Sequence, residues 1–327
     1  MLSKNSIIVK TPMIKINYEY NGMSKYVYTK LEYYNLTGSI KDRVAFYIIN
    51  NAQKRGELKK GMPIIEATSG NTGIALSALG RFYNHPVYIF MPNWVSKERI
   101  NLIKSYGANI ILFSKEDGGF IRCVEEAKKM AKQKNAFLAN QFASQDNFLA
   151  HYETTAEEIL KQVPEEIYGF VSGVGTGGTL MGTGKRLKEK FNNFKIVAIE
   201  PDKMPIISQG KAIAQHKIEG IGDDFVPDLV DKDAIDNIIL VNDEDAINMS
   251  RKLARELGLG VGISSGANLI GSILLNQKLN KPIVTVFADD NKKYLSTDLS
   301  KDIDENKSFI SNQTKLKNFE VVNSVNS

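Results

Sequence analysis

Between Pro63 and Phe287, short apolar runs alternate with amphipathic stretches at helical spacing. Parallel strands need a long crossover between them, usually a helix, so this rhythm predicts crossover units and mostly parallel sheets covered on both faces. The strands expected in the first series are Pro63–Ala67, Pro86–Met91, Ala108–Phe113 and Ala136–Asn140, with helices beginning at Ile74 and spanning Lys97–Tyr106 and Ile121–Lys132. A second series follows: helices Tyr152–Gln162, Leu180–Lys190, Glu244–Leu257 and Ala267–Leu279, and strands Tyr168–Val171, Lys195–Ile199 and Pro282–Phe287. At 327 residues the chain is long for one core, so two lobes are the expectation. Ahead of both series, Met13–Tyr18 and Lys25–Glu32 read as strands around the Asn21-Gly22 turn. Residues 201 to 240 read as loops, and the polar stretch from about Asp302 as a partly disordered surface appendage.

Charge and composition narrow the function classes. The net charge of +5 is scattered, with no basic tract carrying interleaved aromatics, so nucleic-acid binding has no support. Cys123 is the single cysteine, which excludes an internal disulfide and a cysteine metal cluster. His85, His151 and His216 show no ligand spacing, so no metal site is expected. No apolar run reaches membrane-spanning length and no signal segment opens the chain; a cytoplasmic protein with no membrane association is the expectation.

The unusual residues cluster where strands pass into helices, the edge at which such folds bind ligands. Thr37-Gly38-Ser39-Ile40-Lys41-Asp42-Arg43 places Lys41 in the first turn of a helix whose buried face is Val44, Ala45, Ile48, Ile49 and Ala52. The positive end of a helix favours a neutral amine, the form a Schiff-base lysine requires; an ordinary surface lysine is the other reading. Thr68-Ser69-Gly70-Asn71-Thr72-Gly73 offers hydroxyls and amides suited to a carboxylate. Gly173-Val174-Gly175-Thr176-Gly177-Gly178-Thr179 lets the backbone approach an anion such as phosphate, or is simply a tight crossover. It also matches the dinucleotide-binding fingerprint, with Glu200 at the end of the next strand, so on this segment alone a nicotinamide-dependent dehydrogenase is the first reading. That reading explains neither Lys41 nor the Thr68–Gly73 turn. Gly262-Ile263-Ser264-Ser265-Gly266-Ala267 opens a further helix, where Ser264 alone would pass for a cap.

Taken together, these motifs resemble the cysteine synthase and cystathionine β-synthase family, pyridoxal-phosphate (PLP) enzymes of fold type II. The likeness runs from about residue 8 to 298 and includes Thr11-Pro12-Met13-Ile14, which looks like the family's opening Thr-Pro-Leu. The resemblance implies two lobes, each a mostly parallel sheet covered by helices: a smaller mobile lobe, 40–147, carrying the substrate loop, and a larger one, 1–39 plus 148–300, carrying the phosphate loop, with 301–327 a polar tail. It implies that Lys41 forms the internal aldimine with PLP and later removes the substrate Cα proton. Asn71 would face the ring hydroxyl, Gly175, Thr176, Gly177, Gly178 and Thr179 would hold the phosphate, and Ser264 would meet the pyridine nitrogen. Thr68, Ser69, Thr72 and Gln141 would bind the carboxylate of a small amino-acid substrate, and the protein would be a homodimer.

Three departures bear on the substrate. Trp94 stands where relatives usually carry a smaller or more polar residue, and Ala288 replaces a common proline. Asp223-Asp224 follows Gly220-Ile221-Gly222, where typical cysteine synthases have small neutral residues. Sulfide and hydroxide leave less readily than acetate, so a carboxylate at the reaction centre suits unacetylated substrates; a solvated turn is the alternative. The expectation is β-replacement on L-cysteine or L-serine through an aminoacrylate, with Asp224 as acid and base, releasing hydrogen sulfide from cysteine and giving serine or lanthionine. O-acetylserine sulfhydrylase and cystathionine β-synthase activities are the alternatives within the family.

Overall fold

The computed structural model describes residues 10–302 and 304–322. In chain order the elements are β1 (Met13–Tyr20), β2 (Met23–Leu31), α1 (Lys41–Lys54), β3 (Ile64–Ala67), α2 (Asn71–Phe82), β4 (Val87–Pro92), α3 (Lys97–Ser105), β5 (Asn109–Phe113), α4 (Gly119–Gln133) and β6 (Phe137–Leu138). Then come α5 (Gln145–Ala150), a π turn (His151–Thr155), α6 (Ala156–Gln162), β7 (Gly169–Gly173), α7 (Gly178–Lys188), β8 (Lys195–Pro201), α8 (Ile206–Gln209) and β9 (Asn237–Val241). The last are α9 (Asp243–Leu257), α10 (Ile263–Leu279), β10 (Ile283–Phe287), α11 (Ile310–Gln313) and β11 (Thr314–Val322). Contacts divide the described chain into a unit formed by Asn35–Asn147 and a second formed by Lys10–Tyr34 with the chain from Phe148 onward.

The first unit is a four-stranded sheet, β5-β4-β3-β6, with every neighbouring pair parallel. β3 is buried at each of its four positions, as a strand covered on both faces must be. On one side lie Ile65, Ala67 and Phe90 with Cys123, Ala127 and Ala131 of α4. On the other, Ile64 and Ile89 meet residues of α1, α2 and α3, among them Val44, Ile48, Ile74, Leu79 and Ile103.

The second unit is a seven-stranded sheet, β11-β1-β2-β10-β7-β8-β9, parallel from β2 to β9. β1 and β2 form a two-residue hairpin in which Asn21 and Gly22 both have positive φ, 50° and 73°, the turn that matches strand twist. Val197 and Ile199 join the cluster of α9 and α10, while Ile196, one residue off in the alternation, faces Gly184 of α7.

Two segments differ from the sequence reading. The stretch 201–240 is not all loop, since Asn237–Val241 forms the edge strand β9. The polar tail is not a loose appendage: β11 pairs antiparallel with β1 from Met13↔Val322 to Tyr20↔Thr314. It is anchored by the buried Asp245, whose carboxylate accepts from Ile310 N (2.8 Å) and Ser311 N (2.9 Å), and by Asn248, which exchanges hydrogen bonds with the Asp304 backbone. These anchors replace the apolar contacts that the composition lacks. Met1–Asn5, the residues expected to lack a signal segment, lie outside the described residues.

Candidate active site

In the first unit, the turn before α1 is tied by Asp42, 3% exposed, whose carboxylate accepts from Thr37 N (2.9 Å), Thr37 Oγ1 (2.7 Å) and Ser39 N (3.5 Å). The Ser39 hydroxyl in turn accepts from Lys41 N at 3.3 Å. Lys41 is therefore the half-buried first residue of α1, on a backbone held from both sides.

The Thr68–Gly73 loop leads from β3 into α2. Thr68 and Thr72 are buried, Ser69 is exposed, and Asn71 is the first residue of the helix. The Thr72 hydroxyl donates to Gln141 Oε1 at 2.5 Å, bringing together two residues 69 positions apart. Beneath this pair lies Glu66, which the sequence reading passed over. Its carboxylate accepts from Ala67 N at 2.8 Å and Gln141 N at 3.0 Å, joining the loop to the chain segment that carries Gln141. Burial pushes its pKa up to about 7, against the opposing pull of the two amides.

In the second unit, β7 runs into the glycine-rich loop. Gly173 N donates to Asn268 Oδ1 at 2.7 Å, and Asn268 Nδ2 to Val286 O at 2.9 Å, so one α10 side chain joins the ends of β7 and β10. Gly177, with φ of +86°, precedes α7, whose start has no side-chain cap. A Cβ at Gly175 would lie 2.4 Å from Gly220 O, which forbids any other residue there. Thr179 Oγ1 lies 3.2 Å from His151 Nε2, and the π turn that places this buried histidine gave no sequence signal.

The Gly220–Asp224 segment is fastened to the glycine-rich loop by Gly222 N donating to Val174 O at 2.9 Å. His216 Nε2 lies 2.7 Å from Gly222 O, and its Nδ1 accepts from Ile218 N at 3.2 Å, so the ring carries its proton on Nε2. Asp223 is half-buried and Asp224 exposed. The hydroxyl of Ser264, a residue 5% exposed on the first turn of α10, has no hydrogen-bond partner among the described residues. Ala288 N donates to Ser265 Oγ at 3.2 Å, a bond that a proline at 288 could not make. Glu200 does not stand ready for a ribose, because both carboxylate oxygens are taken by Ile207 N (2.6 Å) and Ser208 N (3.0 Å) at the start of α8. The dehydrogenase reading loses its acidic partner.

Residues 5–289 match the family of pyridoxal-phosphate dependent enzymes. The chain belongs to that family. This PLP-dependent enzyme is 40% identical over 299 residues to a probable cysteine synthase of Bacillus subtilis, covering 90% of this chain and 96% of the relative. A hydrogen sulfide-producing enzyme from Fusobacterium nucleatum superposes with a TM-score of 0.93 at 51% identity, over 97% of this chain and 98% of the other. A variant of that enzyme, with one aspartate changed to asparagine, has been solved holding an α-aminoacrylate intermediate. Cysteine synthase from Entamoeba histolytica superposes with a TM-score of 0.87 at 38% identity, over 96% of this chain and 95% of that one. The fold is fold type II, with two sheets, each mostly parallel and carrying helices.

The residues present fit the cofactor. The uncapped start of α7, reached through glycines, suits a phosphate. Ser264, itself 5% exposed, offers a hydroxyl with no internal partner among the described residues, suited to a ring nitrogen. Among the described residues, no helix is long and apolar enough to cross a membrane.

Proposed function

We propose that this enzyme replaces the Cβ substituent of L-cysteine or L-serine, and that its main reaction releases hydrogen sulfide from L-cysteine to give L-serine or lanthionine. The observation that carries the reading is the 51% identity over 97% of the chain with a hydrogen sulfide-producing enzyme. The aspartate pair fastened through Gly222 to the glycine-rich loop supports it.

In this reading Lys41 Nζ would hold PLP covalently and, once the substrate amino group has displaced it, the freed amine would take the substrate Cα proton. PLP, when bound, supplies the electron sink for that proton's loss. Gly175, Thr176, Gly177, Gly178 and Thr179 would hold its phosphate, Asn71 would meet its ring hydroxyl, and Ser264 its ring nitrogen. Thr68, Ser69, Thr72 and Gln141 would bind the substrate carboxylate and fix its orientation for reaction at Cβ. Asp224 gives a proton to the departing sulfur, so that the Cβ–S bond breaks with release of hydrogen sulfide. It then recovers a proton from the water or thiol whose oxygen or sulfur bonds to Cβ.

Cysteine synthase from O-acetylserine is the second reading, supported by the B. subtilis and E. histolytica relatives. Product analysis with L-cysteine, L-serine and O-acetylserine, each with and without a thiol, separates the two. Sulfide with serine or lanthionine from cysteine alone is the expected result. Efficient cysteine synthesis from O-acetylserine with no reaction on cysteine would overturn it, and Lys41→Ala should abolish turnover in every arm. We also propose a homodimer, to be checked by light scattering, and a cytoplasmic location, consistent with a lone buried cysteine whose pKa burial raises to about 11.

A further inference from the structure

Glu66 is 2% exposed on β3, immediately before the loop to which carboxylate binding is assigned. It forms no ion pair among the described residues; its two acceptors face only the amides of Ala67 and Gln141. Glu66 shares with Ile64 the face of β3 that meets α1, α2 and α3, where α1 carries the buried Asp42 and Arg43, neither of which pairs with it. Glu66 is in register with Ile89 of β4, next to Tyr88, and β6 contributes Phe137 and Leu138. The cation of α2, Arg81, is exposed in the last turn, and α4 turns Cys123, Ala127 and Ala131 inward, the thiol held neutral by burial. The cation that α3 brings to this end of the sheet is Arg99, which packs on Gly70, four residues further along.

We propose that Glu66 is the positioning residue of the carboxylate loop, and that it takes up a proton from solvent when the substrate carboxylate docks. The inference rests on the assignment of Thr68, Ser69, Thr72 and Gln141 to that carboxylate. Its geometric basis is that one carboxylate holds the amide just before Thr68 and the amide of Gln141 itself, two segments 75 residues apart. It thereby sets the distance across which Thr72 and Gln141 meet. A second carboxylate arriving a few residues away raises the cost of keeping Glu66 ionised in an apolar surrounding, and protonation relieves it. Burial has already brought Glu66 to the edge of that transition, with a pKa of about 7. The only bond that changes is the new O–H on the Glu66 carboxyl, which keeps acceptor capacity for the amides.

The test is calorimetric titration of the holoenzyme with propionate, which has a carboxylate but neither an amino group nor a leaving group. Measurement in buffers of different ionisation enthalpy counts protons. The expected result is a net proton uptake on binding that grows as pH rises from 6 to 8, because a carboxyl whose pKa burial raises becomes more ionised in the free enzyme over that range. The apparent affinity should fall several-fold between pH 6 and 8. In Glu66→Gln the uptake should vanish and the affinity should become flat over that range. A merely structural Glu66 would lower affinity equally at every pH and leave the proton count unchanged. An unchanged count in Glu66→Gln overturns the proposal, and so does zero uptake by the wild type, a result that needs no variant to fold. Thr72→Val separates the two readings. If propionate affinity ignores that change, the carboxylate assignment falls and this inference with it. If affinity drops but no proton is counted, only the inference falls.

Discussion

Exposure at position 224 is what the proposed acid-base role demands, because a group that must exchange protons with arriving water or thiol cannot be sealed off. Asp224→Asn should therefore slow both the first release of sulfide and steady turnover by about 100-fold, the usual scale for losing a general acid-base group. A slowed first turnover measured by rapid sulfide trapping is the signature; an unaltered steady state would return Asp224 to the solvated turn. Upstream in the same segment, His216 bonds through both ring nitrogens. Burial lowers its pKa, while the Gly222 carbonyl and Asp243 pull the other way. The unfolded chain then binds more protons than the folded one just below its ordinary pKa of about 6.5, so stability falls as pH drops from there through the folded value. Protonation at Nδ1 also removes the acceptor for Ile218 N, a loss of about 1 kcal/mol. Thermal melts from pH 7.5 to 5.5 should show a steeper decline in the wild type than in His216→Gln. Parallel slopes would remove the ring from that role.

At the scale of elements, the Thr68–Gly73 loop, proposed to bind the substrate carboxylate, is a short connection whose geometry depends on what lies behind it. Removing one hydrogen bond to a charged group costs about 1.5–3 kcal/mol. Ser69→Ala should weaken amino-acid binding by that amount without disturbing cofactor absorbance, since Ser69 is the exposed member of the loop. Equal affinity in the variant would count against the loop. The loop itself, the Lys41 turn and the glycine-rich passage were legible because each carries its residues contiguously, at a strand-to-helix junction that the periodicity already located. Glu66, Asn268, His151 and His216 were not. Each acts on backbone groups or hydroxyls that no contiguous motif marks, and a lone polar residue in an apolar run has no period to betray it. β9 escaped for a related reason: Asn237-Ile238-Ile239-Leu240-Val241 is an apolar run, but one flanked by aspartates that read as loop. β11 spaces Leu316, Phe319 and Val321 too unevenly to alternate, in keeping with the register shift opposite Asn17 and Tyr18.

For the whole molecule, chain order and sheet order diverge in a way that sets how the second unit is completed. β1 lies near one end of the chain and its outer neighbour β11 near the other, with the first unit's Asn35–Asn147 made in between. The four strands of the first unit pair among themselves, whereas β1 waits for residues 314–322 to cover its edge. Non-local pairing of this kind is slow, and an open strand edge invites association. A chain ending at Asp302 would lose β11 together with the groups bonded to Asp245 and Asn248, leaving a buried carboxylate without its two amide donors. An uncompensated buried charge costs several kcal/mol, a large part of a domain's net stability. The truncated protein should therefore show a melting transition lowered by about 10 °C or more, given roughly 2–4 °C per kcal/mol at this size. Hydrogen exchange should locate the loss in β1, β2 and α9, with β3 and β4 protected as in the full chain. A truncated protein with unchanged β1 protection would make the strand an accessory, and uniform deprotection across both sheets would show that the two units unfold as one.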